Sequence, residues 1–186
     1  MDFEEKNYNI ILTGFMGTGK TTVGRLLAKK LGFEFVDTDG HIEEQYGKMV
    51  AEIFIEDGER AFRQMERDAA RDLGERVGQI ISTGGRMMLD PENISALAPS
   101  GLIFCLTASA EEILRRVQSE KNGLERPLIK GENPEAKIAD LLADRQERYA
   151  RFPLIDTQNR TPEQICTDIL QQITHLDHPS ASEEND

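Results

Sequence analysis

The 186 residues predict a three-layer α/β/α domain built on a central parallel sheet of about five strands. Three observations carry that prediction. Short apolar runs alternate with stretches whose apolar residues recur at helical spacing. A glycine-rich loop joins the first such run to the first such helix. Several of the apolar runs also end in polar clusters, at the edge where a doubly wound parallel sheet places its ligands.

The loop is Gly14-Phe15-Met16-Gly17-Thr18-Gly19-Lys20-Thr21-Thr22, which fits G-x-x-x-x-G-K-[ST], the phosphate-binding P-loop. Gly17, Thr18 and Gly19 lie where the backbone must wind tightly enough for its N–H groups to converge on phosphate oxygens. Lys20 supplies a charge to the outer phosphates, the Thr21 hydroxyl suits Mg²⁺, and Thr22 follows in the first helical turn. The context is right for the motif. Residues 9–13 read as a buried strand before it, and Val23, Leu26, Leu27 and Leu31 form a helical stripe after it, stopped by Gly32. A helix N-terminus aimed at the loop adds partial positive charge.

The remaining elements follow in order. Residues 33–36 predict a second strand, ending in Asp37-Thr38-Asp39. Helical segments are expected over 42–46, 50–56 and 59–73, punctuated by Gly47 and Gly58. Residues 79–83 form a third strand, ending in Gly84-Gly85-Arg86. Asp90 as N-cap and Pro91 at the first helical position open a short helix. A strand over 102–106 precedes a helix capped by Ser109 and running to residue 119. The polar, glycine-containing stretch 120–132 reads as a mobile lid. Pro134 opens a long helix reaching residue 151, and residues 153–156 form a last short strand. Thr161-Pro162-Glu163 starts the final helix, with Ile165, Ile169, Leu170 and Ile173 as its apolar face. Residues 177–186 are acidic and Ser-rich and read as a disordered tail. The expectation is one domain over 1–176, with acceptor-binding helices over 39–74.

Charge and composition exclude several classes of function. Twenty-two basic against 34 acidic residues give a net charge of −12, which disfavours nucleic acid and anionic membranes as partners. No apolar run is long enough to span a bilayer, and the first residues are acidic where a signal peptide is basic. Cys105 and Cys166 lie far apart, with no histidine spacing for zinc. A cytoplasmic, monomeric protein is expected.

Two aspartates at one strand tip suit two jobs. Asp37 can serve a magnesium shell through water, and Asp39 can accept a proton from a substrate hydroxyl. A helix N-cap role is also open to Asp39. Arg63 and Glu66, at i and i+3, can pair on one helical face; spacing alone does not separate an oriented, ligand-binding arginine from a surface ion pair. Arg126 lies in the lid stretch, where an arginine can close over a transferring phosphate. His41, His175 and His178 are dispersed and none reads as catalytic.

The ordered set GFMGTGKTTVGRLLA, FVDTD, IFIEDGERAFRQME, STGG, RPL and Asp144-Arg145…Tyr149 resembles the shikimate kinase family over residues 8–175. The resemblance implies a P-loop kinase fold and ATP-dependent phosphorylation of the 3-hydroxyl of shikimate. It implies Lys20 on the outer phosphates and Thr21 and Asp37 on Mg²⁺. Asp39 would receive the acceptor hydroxyl, and Arg63, oriented by Glu66, would grip the carboxylate together with Arg145. Gly84 and Gly85 would lend N–H groups beside the ring. Arg116, Arg160 and Pro162 would surround the adenine, and Arg126 would act from the lid. One position departs: the family pattern has three consecutive glycines where this chain has Gly84-Gly85-Arg86. That departure leaves open another small acceptor, such as gluconate, and a nucleotide-binding regulator without transfer is the reading from a different class. Asp39, Arg63 and Arg145 together favour a hydroxylated carboxylic acid over a nucleotide.

Overall fold

Strands β1 (Asn9–Gly14), β2 (Glu34–Asp37), β3 (Gln79–Ser82), β4 (Gly101–Thr107) and β5 (Leu154–Asp156) form one parallel sheet. Their order is β2-β3-β1-β4-β5. The computed structural model describes residues 7–119 and 133–177. β1 is buried along its whole length, as a central strand covered on both faces must be. In its register Ile10 lies opposite Ile80 on one side and Leu102 on the other.

The two faces of the sheet take alternate side chains, and each is covered by its own helices. Ile10, Leu12, Phe104 and Leu106 pack under α1 (Lys20–Leu31) and α8 (Pro162–Asp177), through Val23, Leu27, Ile165 and Ile169. Ile11 and Ile81 point the other way, against Ala70 and Leu73 of α4 (Gly58–Gly74) and Leu97 of α5 (Pro91–Leu97). Two satellite clusters then frame the ligand edge. α2 (Thr38–Tyr46) and α3 (Val50–Glu56) join α4 around Ile42, Ile53, Phe62 and Ala69. α6 (Ala110–Ser119) and α7 (Pro134–Tyr149) close over Phe15 with Ile113, Val117 and Ile138, so the P-loop is anchored by its own buried phenylalanine.

The three-layer parallel architecture is the one expected, and the differences lie at element ends. The helix expected from residue 42 begins at Thr38, because the Asp37 side chain accepts the Asp39 N–H at 3.2 Å and caps it. Three-residue 3₁₀ turns at Met87–Leu89 and Ala98–Ser100 were not foreseen, being too short to carry a periodic signal. α7 ends at Tyr149 rather than 151, and α8 reaches Asp177, one residue into the expected tail. Asp90 and Ser109 cap as predicted, accepting from the Glu92 and Glu112 N–H groups at 3.0 and 3.2 Å. The expected lid over 120–132 and the tail over 178–186 lie outside the described residues. Among the described residues, no helix is long and apolar enough to cross a membrane.

Candidate active site

The P-loop leaves β1 and enters α1 through three left-handed turns of backbone: Gly14, Gly17 and Gly19 have φ of 130°, 73° and 95°. A side chain at any of them is strained, and a Cβ on Gly14 would meet the Leu106 carbonyl oxygen at 2.2 Å. Thr18 closes the loop by donating its hydroxyl to the Phe15 carbonyl at 2.8 Å. Lys20 lies back across the loop, its Nζ donating to the Gly14 and Phe15 carbonyls at 2.9 and 2.8 Å. The loop thereby holds the ammonium at the cleft, on weak neutral acceptors that phosphate oxygens can displace.

The β2 tip brings the two aspartates to the same edge. Thr21 donates its hydroxyl to Asp37 Oδ2 at 3.2 Å, joining the start of α1 to the end of β2. Asp37 therefore takes the N-cap role that the sequence also left open for Asp39, and Asp39 is released to face the cleft. Burial pushes the Asp39 carboxyl above the ordinary carboxylate range; Asp37 adds to this and Lys20 offsets part of it. Gly84, after β3, has no side chain because a Cβ there would sit 2.8 Å from Asp39 Oδ1 and 3.4 Å from Glu66 Oε1.

Two arginines complete the edge. Arg63 donates from Nη1 to Glu66 at 2.6 Å and from Nε and Nη2 to Glu59 at 3.3 and 3.1 Å. Glu66 is 2% exposed; burial raises its pKa and the Arg63 cation offsets that rise. So Arg63 is an oriented arginine and not a loose surface pair. Arg145 is 5% exposed, with its guanidinium 5.0 Å from the centre of the Phe15 ring. No carboxylate pairs with it among the described residues. Lys20, Asp37, Asp39, Arg63, Glu66 and Arg145 all line one cleft of about 690 Å³.

A family model for shikimate kinase matches residues 16–174. The chain belongs to the shikimate kinase family. A shikimate kinase of Thermodesulfovibrio yellowstonii is 44% identical over 90% of this chain and 96% of its own length. A solved shikimate kinase from Acinetobacter baumannii, in complex with shikimate, superposes with a TM-score of 0.83 at 37% identity. It covers 92% of this chain and 96% of that one. A gluconokinase from Sinorhizobium meliloti 1021 has a TM-score of 0.57 at 14% identity, a likeness of fold alone.

Several residues expected from the shikimate kinase resemblance sit differently from expectation. The Gly84 N–H is already donated to Thr38 Oγ1 at 2.9 Å, so it is not free to serve a substrate ring. The Gly85 N–H has no acceptor among the described residues, while its carbonyl accepts from Tyr149 at 2.6 Å. Arg116 lines the cleft, yet its guanidinium is spent on structure. It donates to the Gly17 carbonyl at 3.2 Å, to Thr157 O at 2.7 Å and to Glu112 at 2.7 Å. Arg160 is bound to its own surroundings, through the Asp156 carbonyl at 3.1 Å and Asp168 at 2.7 Å; neither it nor Pro162 lines the cleft. Arg126 lies outside the described residues. Arg86 costs the backbone nothing, since its φ is −115°. Its side chain turns to Glu59, with Nη1 donating at 2.8 Å.

Thr38, Glu59 and Tyr149 contribute to this edge without having been singled out from sequence. Thr38 stood between the two aspartates and Tyr149 within the Asp144-Arg145…Tyr149 motif, but neither spacing says which carbonyl or amide the hydroxyl meets. Glu59 precedes Arg63 by four residues, a pairing distance on a helix that was available to be read.

Proposed function

We propose that this protein transfers the γ-phosphoryl group of ATP to the 3-hydroxyl of shikimate, giving shikimate 3-phosphate and ADP. The observation that carries this is the meeting of one half-buried carboxylate, Asp39, with two arginines, Arg63 and Arg145, in the cleft of a P-loop. A hydroxylated carboxylic acid satisfies all three: the arginines bind its carboxylate and Asp39 faces its hydroxyl. Its membership of the shikimate kinase family names which such acid.

In this mechanism the acceptor hydroxyl gives its proton to Asp39 as its oxygen attacks the γ-phosphorus in line and ADP departs. Burial that raises the Asp39 pKa makes it a stronger base than an exposed aspartate, while Lys20 and Asp37 set how far the rise goes. Lys20 leaves the Gly14 and Phe15 carbonyls for the phosphate oxygens, and the P-loop N–H groups hold the phosphates in position. Thr21 and Asp37, oxygen donors already 3.2 Å apart, fit a hard divalent cation and would hold Mg²⁺. When bound, that ion neutralises charge between the β- and γ-phosphates.

A monomeric, cytoplasmic enzyme is part of the same proposal, and a net charge of −12 disfavours nucleic acid and anionic lipid as partners. The test is ADP release with a panel of shikimate, gluconate and a nucleoside monophosphate as acceptors. Shikimate should be turned over with a kcat/KM well above the others. Faster turnover of gluconate, or no acceptor-dependent ADP, overturns the assignment.

A further inference from the structure

In the resting protein all three nitrogens of the Arg63 fork donate to carboxylates. Nη1 is held by Glu66, and the edge formed by Nε and Nη2 donates twice to Glu59 Oε1, at 3.3 and 3.1 Å. That edge is the one a ligand carboxylate would take in a two-point grip. The same Glu59 oxygen accepts a third bond, from Arg86 Nη1 at 2.8 Å, the shortest of the three. The two carboxylates on Arg63 are not alike. Glu66 has a 3% exposed side chain and is fixed from within, whereas Glu59 is 54% exposed and free to swing. Arg86, 49% exposed, is the other cation Glu59 touches, and it lines the same cleft.

We propose that Glu59 is a resident carboxylate occupying the acceptor edge of Arg63 in the empty site, and that Arg86 takes it over when an acceptor carboxylate enters. Two carboxylates cannot share one guanidinium edge without repulsion, so an acceptor that takes the Nε and Nη2 edge requires Glu59 to leave. Arg86 already holds Glu59 and keeps it neutralised after it leaves. Arg86 is therefore a positioning residue that lowers the cost of acceptor binding without touching the acceptor. This inference rests on the carboxylic-acid reading of the cleft given above.

A double-mutant cycle on Glu59→Gln and Arg86→Gln tests it, read as shikimate KM and as shikimate Kd by titration calorimetry. Arg86→Gln should raise the shikimate KM about two- to fivefold, the span of an exposed ion pair. Glu59→Gln should lower it by a similar factor, with kcat and the ATP KM unchanged in both. In the Glu59→Gln background, Arg86→Gln should have no effect. An equal rise in both backgrounds means that Arg86 acts only as a general positive field and overturns the handover. A rise in KM with Glu59→Gln means that Glu59 orients Arg63, and overturns it too. If no variant moves KM while the natural protein turns over shikimate, the handover falls and the assigned reaction stands. If the natural protein neither binds nor turns over shikimate, the assigned reaction falls and takes the handover with it.

Discussion

Arg145→Met separates a binding role for this arginine from a structural one, because the two roles predict opposite changes in stability. In the unliganded protein the guanidinium is buried over the Phe15 ring with no carboxylate partner among the described residues. It also lies beside Tyr149, whose hydroxyl pKa is raised by burial and drawn back down by the Arg145 cation. Two terms compete when it is replaced. The lost contact with the ring costs about 2 kcal/mol. Removing a desolvated, unpaired charge returns several kcal/mol. The variant should therefore be more stable by about 1–3 kcal/mol, raising Tm by about 2–12 °C for a chain of this size. The same change removes a charge-assisted partner of the acceptor carboxylate. Losing one side of such a buried pair costs about 2–5 kcal/mol, at least about thirtyfold in shikimate Kd. Scanning calorimetry of the free protein and titration with shikimate measure the two effects, with ATP affinity as the unchanged control. A variant that melts lower and binds shikimate normally would refute the assignment of Arg145 to the acceptor.

Three further outcomes are expected. Lys20→Ala should fold normally and lose about a hundredfold or more in kcat, because the lysine lies on the loop rather than in the core and donates to the Gly14 and Phe15 carbonyls in the resting protein; near-normal turnover by a folded variant rules the role out. Asp39 acts ionised, so acceptor kcat/KM should fall as pH drops through its raised pKa, above the ordinary 3.8. Between 3.8 and that raised value the folded state keeps a proton the unfolded state has lost, so stability falls as pH rises through the window and stays lower above it. Asp39→Asn should thus be inactive yet more stable than the natural protein at neutral pH, measured by urea unfolding. Gly84→Ala places a Cβ 2.8 Å from Asp39 Oδ1 and should displace that carboxylate, lowering kcat more than Tm; unchanged kcat means that Asp39 is not held where the hydroxyl must meet it.

The sheet and the P-loop were legible because their signals are local. A buried strand, a glycine-rich loop and an amphipathic helix follow one another within residues 9–31. Asp37 and Asp39 were legible as a pair, but their division of labour was not. It is decided by which carboxylate meets the Asp39 N–H, a matter of one backbone turn. The protein partners of Gly84 and Arg116 were not legible for a related reason. Both were expected to face ligands, and both are occupied by partners distant in sequence: Thr38 lies 46 residues from Gly84 and Thr157 lies 41 from Arg116. Only the assembled sheet brings those pairs together. Arg86 was legible as a departure that could turn aside to pair with an acid, whereas the identity of that acid was not. It is Glu59, 27 residues away, and the φ of −115° at Arg86 costs the backbone nothing.

The two arginines of the cleft also differ in a way that orders acceptor binding. Arg145 has no carboxylate to release among the described residues, while Arg63 must give up Glu59. On the assigned reaction, an incoming carboxylate gains most by meeting Arg145 first, since that contact neutralises a buried charge and displaces no carboxylate among the described residues. Meeting Arg63 then requires Glu59 to swing toward Arg86, a step that becomes favourable once the acceptor is already anchored nearby. Arg145 therefore carries affinity, and Arg63, held from within by Glu66, carries orientation. It sets the ring relative to Asp39, whose half-buried carboxyl lies close against the Gly84 backbone. Loss of Arg145 should appear chiefly in KM. Loss of Arg63 should appear in kcat as well, because an acceptor held at one point presents its hydroxyl to Asp39 in many orientations and to the phosphorus in few.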